Sequence, residues 1–131
     1  MTMNYNDFIG KVQNLSRLGT TGEAVRATRA TLKVFGKRLF GGEAKDLAAQ
    51  LPEEIGLYLQ QDGPKSAFGV QEFYKRVSKE AGIDLPEAVH HARSVMAVVQ
   101  EAVSGGEMQD VRQQLPDEYD DLFETEIEGT E

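Results

Sequence analysis

Apolar side chains return every three or four residues along most of this chain, the spacing of one face of an α-helix rather than the alternation of a strand. Tyr5, Phe8, Val12 and Leu15 form the first such stripe. Thr20-x-x-Glu23 opens the second helix as a capping box: the Thr oxygen accepts an early backbone N–H and the Glu reaches back. Behind that cap run Val25, Thr28, Leu32, Phe35 and Leu39 on one face. A third helix follows Gly41-Gly42, and a short fourth begins at Pro52, a residue tolerated in a first turn. Residues 60–69 (QQDGPKSAFG) break the pattern as a loop. Beyond them the series starts again. Phe73, Val77 and Ala81 line one helix; Asp84 with Glu87 caps the next, whose stripe is Ala88, Ala92, Val95, Val99 and Val103. Ser104-x-x-Glu107 caps the third, and Pro116 opens the fourth. The β-branched valines hint at a strand, but the run from Glu87 to Val103 is too long and too helically periodic for one.

The recurrence is also one of identity. Residues 41–54 read GGEAKDLAAQLPEE and residues 105–118 read GGEMQDVRQQLPDE, identical at eight of fourteen positions at an offset of 64. Upstream, Phe8 and Val12 align with Phe73 and Val77 at an offset of 65, and Glu23-Ala24 with Glu87-Ala88 at 64, so the first copy carries one extra residue between Leu18 and Gly22. The copies run from 5 to 59 and from 70 to 123, joined by the loop 60–69. A unit of this size struggles to bury its apolar faces alone. The expectation is one all-α domain, residues 1–123, in which two tandem helical repeats pack about a pseudo-twofold axis into a single multi-helix bundle. Residues 124–131 are acidic and lack aromatics, the composition of a disordered tail.

Composition narrows the setting. A chain of 131 residues with 40% hydrophobic and 27% charged residues has the balance of a globular domain. There is no Cys, so neither a disulfide nor a thiolate metal site can form, which suits a reducing cytoplasm. Residues Met1 to Asp7 show no basic or apolar signal region, and the longest nearly apolar run, Val95 to Val99, is far short of the ~20 residues of a membrane span. A cytoplasmic location is expected. The net charge of −8 is uneven: residues 1–60 carry 8 basic and 6 acidic side chains, residues 61–131 carry 6 and 16. So negative a surface argues against nucleic acid as a partner of the whole molecule.

The doubled GGE-x-x-D-[LV]-x-x-QLP-x-E, each copy preceded by an aromatic-led helix and a long second helix, resembles the bacterial family named domain of unknown function 2267. The likeness covers about residues 4 to 124. It implies a bacterial origin and a duplicated helical fold, and no activity. One departure stands out: Phe40 occupies the place of Ser104, so only the second copy has the Ser-x-x-Glu cap.

No residue set has the pattern of a catalytic, cofactor or metal site. Gly41, Gly42, Glu43 and their repeats Gly105, Gly106, Glu107 suggest an anion-binding helix start, but the Glu would repel a phosphate and no Gly-Lys-Ser/Thr follows; tight turns with caps are the expectation. Glu87-x-x-His90 has di-iron spacing, but such a site needs two of these motifs and two more Glu residues, and the first copy has Arg26 and Ala27 in the places of the histidines. His90 falls opposite the Val95/Val99 stripe. Arg26, Arg29, Lys33 and Lys37 are spaced 3, 4 and 4 apart and form one basic stripe away from the apolar face. Its counterpart in the second copy reads His90, Arg93, Ala97 and Glu101. The stripe is either an ordinary solvated face or a docking strip for an acidic protein partner, the acidic tail being one candidate occupant. Function by elimination is a non-catalytic protein-interaction or regulatory module, without cofactor, nucleic acid or membrane. The alternative is a small-ligand binder with an apolar groove between the repeats.

Overall fold

The computed structural model describes residues 3–124; apart from Glu124, the stretch read as a disordered tail lies outside the described residues. Those described are all-helical: α1 (Tyr5–Ser16), α2 (Thr21–Arg38), α3 (Glu43–Ala48), α4 (Glu53–Leu59), α5 (Val70–Ala81), α6 (Leu85–Ala102), α7 (Gly105–Gln113) and a 3-10 segment at Asp117–Phe123. None of these helices is long and apolar enough to cross a membrane.

Local chemistry sets the boundaries. Asn4 Oδ1 accepts from the Asp7 N–H at 2.8 Å, the Thr20–Glu23 box is closed in both directions, Asp84 accepts from Glu87 N at 3.0 Å, and Ser104 accepts from Glu107 N at 3.1 Å. At their far ends α1 and α5 stop in the same left-handed conformation, at Arg17 (φ 57°) and Gly82 (φ 70°).

The packing has a matched plan. Helices α2 and α6 lie against each other at the centre, α1 packs on both, and α5 packs on both. Helix α4 covers α2, the 3-10 segment covers α6, and α3 meets α7. The core runs along this stack through Phe8, Val12, Leu32, Phe35, Phe73, Val77, Val95 and Val99, all fully buried. Each such side chain contributes about 1.5–3 kcal/mol over leaving it exposed. Phe35 holds the centre, edge-on to Phe73 and Phe123 with centroids 6.1 and 6.3 Å apart. Three residues of the expected stripes, Tyr5, Leu15 and Val25, are only partly buried at its rim.

Two elements depart from a strict repeat. Gly41 and Gly42 form the expected turn, both at positive φ (65° and 81°), and α3 starts after them. Gly105 and Gly106 do not form a turn: they are the first two residues of α7, because Ser104 supplies a capping oxygen where Phe40 has none. The fourth helix differs as well. Helix α4 seats closely on its neighbours at two glycines: a Cβ on Gly36 would meet the Leu59 carbonyl group, and one on Gly56 would lie 2.8 Å from the Ala48 oxygen. The second half has Gln100 and Asp120 at the 64-residue offset, and its counterpart is the 3-10 segment. Polar contacts hold that segment instead: Tyr119 Oη donates to Phe68 O (2.8 Å), Tyr74 Oη to Asp121 Oδ2 (2.7 Å), and Arg93 pairs with Asp121 at 2.6 Å.

Candidate functional site

Helix α2 is buried over a wide arc (Ala24, Ala27, Thr28, Ala30, Thr31, Leu32, Val34, Phe35 and Gly36) because α1, α4, α5 and α6 all pack on it. The solvent strip that remains carries the basic stripe. Arg26 and Arg29 are exposed, Lys33 and Lys37 half-buried.

The stripe divides along its length. Lys33 and Lys37 face α5, where Arg76, Lys79 and Glu80 complete a cleft of about 380 Å³ with Val34 in its lining. Lys33 Nζ pairs with Glu80 Oε2 at 2.8 Å. The Arg76 guanidinium is fixed from two sides, pairing with Glu72 at 2.9 Å and lying 4.0 Å over the Phe68 ring. Among the described residues Lys37 and Lys79 have no ion pair. Four cations against Glu72 and Glu80 leave the cleft at +2 in a chain whose net charge is −8. At its end Lys65 Nζ and Ser66 N donate to the last free carbonyls of α2, Gly36 O (2.8 Å) and Lys37 O (3.0 Å), and tie the interhalf loop down. Arg26 sits elsewhere, lining a space of about 70 Å³ with Glu23, Glu87 and His91. Arg29 acts on the Tyr58 phenol, whose pKa is raised by burial first and then by Tyr5, against the lowering pull of Arg29.

Arg76 and Lys79 escaped the sequence reading. They lie three apart on α5, a weak signal taken singly, and only the α2–α5 contact sets them opposite Lys33 and Lys37. The corresponding strip of α6 is already occupied. His90 Nε2 lies 3.3 Å from the Ser16 carbonyl, Arg93 holds Asp121, and Glu101 pairs with Lys11 at 3.3 Å. His91 is buried beside it, and burial, with the neighbouring His90, holds its pKa below the usual imidazole value. No group of three or more His, Cys, Asp or Glu among the described residues has the arrangement of a metal site.

The doubled motif forms a second polar centre where α3 meets α7. Gln50 Oε1 accepts from Ser104 N (2.8 Å); its counterpart Gln114 accepts from Phe40 N and donates to Phe40 O, both at 3.1 Å. Gln114 Nε2 also reaches Glu43 Oε1 at 3.4 Å. Glu43 Oε2 and Glu107 Oε2 are buried with no partner. The Glu107 carboxyl is pushed up to about 7, by burial first, then by its contact with Glu43 and the charges of Glu43, Asp46 and Asp110.

The helices, cleft and motif joint all lie within the reach of one family. A family model described as "Uncharacterized conserved protein (DUF2267)" matches residues 5–122. The chain belongs to this family. The DUF2267 match starts at the first residue of α1 and ends within the 3-10 segment, so it takes in both halves and everything that positions the cleft. A search of curated proteins finds no match. DUF2267 membership brings no reaction with it, and the functional reading rests on geometry.

Proposed function

We propose that this chain is a non-catalytic protein-interaction module of the bacterial cytoplasm, and that its α2–α5 cleft docks an acidic segment of a protein partner. The observation that carries the reading is the convergence of Lys33, Lys37, Arg76 and Lys79 on one cleft from helices of different halves. Cations gathered on one face of an otherwise acidic protein steer an acidic partner to that face and repel it elsewhere. Phe68 under Arg76, and Lys65 and Ser66 on the α2 carbonyls, hold the cleft's walls in place before any partner arrives. The ligand-groove alternative has less support. The α2–α5 cleft between the halves has the volume of a small-molecule site, but its lining is five charged side chains and Val34 rather than an apolar groove, and the space where α1, α2, α5 and α6 meet is about 70 Å³.

The test uses a fluorescent polyglutamate peptide, followed by anisotropy at low and at physiological salt. Wild type is expected to bind it, more weakly as salt rises. The Lys37→Glu/Lys79→Glu variant should lose binding by tenfold or more, while Arg26→Glu changes it little. Equal binding by wild type and the double variant defeats the reading, and so does tighter binding of a duplex DNA of equal charge.

A further inference from the structure

The α3–α7 joint holds an arrangement that the docking reading does not use. Glu43 and Glu107 occupy equivalent places in the two motif copies, and the fold brings their carboxyls together instead of aiming both at solvent. One oxygen of each is buried without a hydrogen-bond partner. Two ionised carboxylates cannot donate to each other, and two like charges in contact repel. A single proton shared by the pair removes both costs, because it gives each orphaned oxygen a partner and leaves one negative charge where there were two. The other charges that raise Glu107 are also carboxylates, Asp46 from α3 and Asp110 from α7. Of the neighbouring amides, Gln114 donates to Glu43 Oε1, and Gln50 is engaged by the Ser104 N–H.

We propose that Glu43 and Glu107 form a proton-sharing clasp between α3 and α7, closed while the pair holds one proton and loosened when it holds none. Under the clasp lie Ala44, Leu47, Met108 and Val111, all buried, so loosening it exposes apolar surface at one end of the bundle. The device works near neutral pH, since the Glu107 carboxyl, in contact with Glu43, is pushed up to about 7. It is independent of the basic cleft.

The experiment is a carboxyl-carbon NMR titration of the ¹³C-labelled full chain, with amide hydrogen exchange measured in parallel. Glu107 is expected to titrate near 7 in the wild type and to return towards 4.5 in Glu43→Gln, whose amide donates to the Glu107 carboxylate in place of the shared proton. Between pH 6 and 8 the protection of α3 and α7 amides, corrected for intrinsic exchange, should fall about tenfold in the wild type, as the protonated fraction does across a midpoint of about 7. In Glu43→Gln it should stay level. A Glu107 midpoint in the ordinary carboxylate range in the wild type overturns the proposal. So does protection that changes equally in both proteins.

Discussion

Replacing Gly36 by Ala sets two known effects of the same methyl against each other. In a helix interior, Gly to Ala is favourable by about 1 kcal/mol, through backbone entropy and helix propensity. At Gly36 the new Cβ meets the end of α4: it would lie 2.8 Å from the Leu59 carbonyl carbon and 3.1 Å from its Cα, with the carbonyl oxygen nearer still. These are backbone atoms and cannot swing aside as a side chain does. Overpacking of this kind costs about 3 kcal/mol, leaving a net loss of about 2 kcal/mol. For 131 residues at ~2.1 cal/mol/K each, that lowers Tm by about 7 °C. Gly10, exposed in α1 with nothing within 4 Å of its added Cβ, is the control. Gly10→Ala keeps only the favourable part and should raise Tm by about 4 °C. Differential scanning calorimetry of the two variants decides it. A Gly36→Ala protein melting at or above the wild type would mean that the end of α4 does not lie against Gly36 of α2.

Two further outcomes follow from single residues. Arg17 ends α1 at φ 57°, is exposed, and forms no ion pair among the described residues; Arg17→Gly should stabilise by about 0.5–1 kcal/mol, read as a higher urea midpoint at unchanged m, and a lower midpoint would refute it. His91 is disfavoured as a cation in the folded state, by burial first, so the unfolded chain takes up its proton more readily; its contribution is intact above about 6.5 and is lost as pH falls below that value. In a Glu107→Gln background, where the oppositely signed titration of the carboxyl pair is removed, His91→Gln should flatten the loss of stability from pH 6.5 to 5. An unchanged slope would show that His91 is not its source.

The sequence by itself determined the elements, and for local reasons. Caps at Asn4, Thr20, Asp84 and Ser104 act within three residues of themselves, and the stripes through Phe8, Leu32, Phe73 and Val95 follow from the helical period alone, so both can be read from a single chain. The candidate site was half legible on the same grounds. Lys33 and Lys37 lie on one helix and show as a stripe, whereas Arg76 and Lys79 become partners only once α5 lies beside α2. The tertiary structure also decided what the doubled motif does. Along the chain its Glu reads as a cap and its Gln as a helix-surface or inter-helix hydrogen-bonding group; the meeting of α3 and α7 decides for the second, making the glutamines crossed tethers, and brings two carboxyls into contact. It decided as well that Pro52 and Pro116 lead into different elements, because Gly36 and Gly56 let α4 approach closely where the second half has Gln100 and Asp120. Capping and periodicity are local interactions and are encoded locally. Clefts, close approaches and shared protons are pair properties of residues tens of positions apart, and they exist only once packing has set the distance between them.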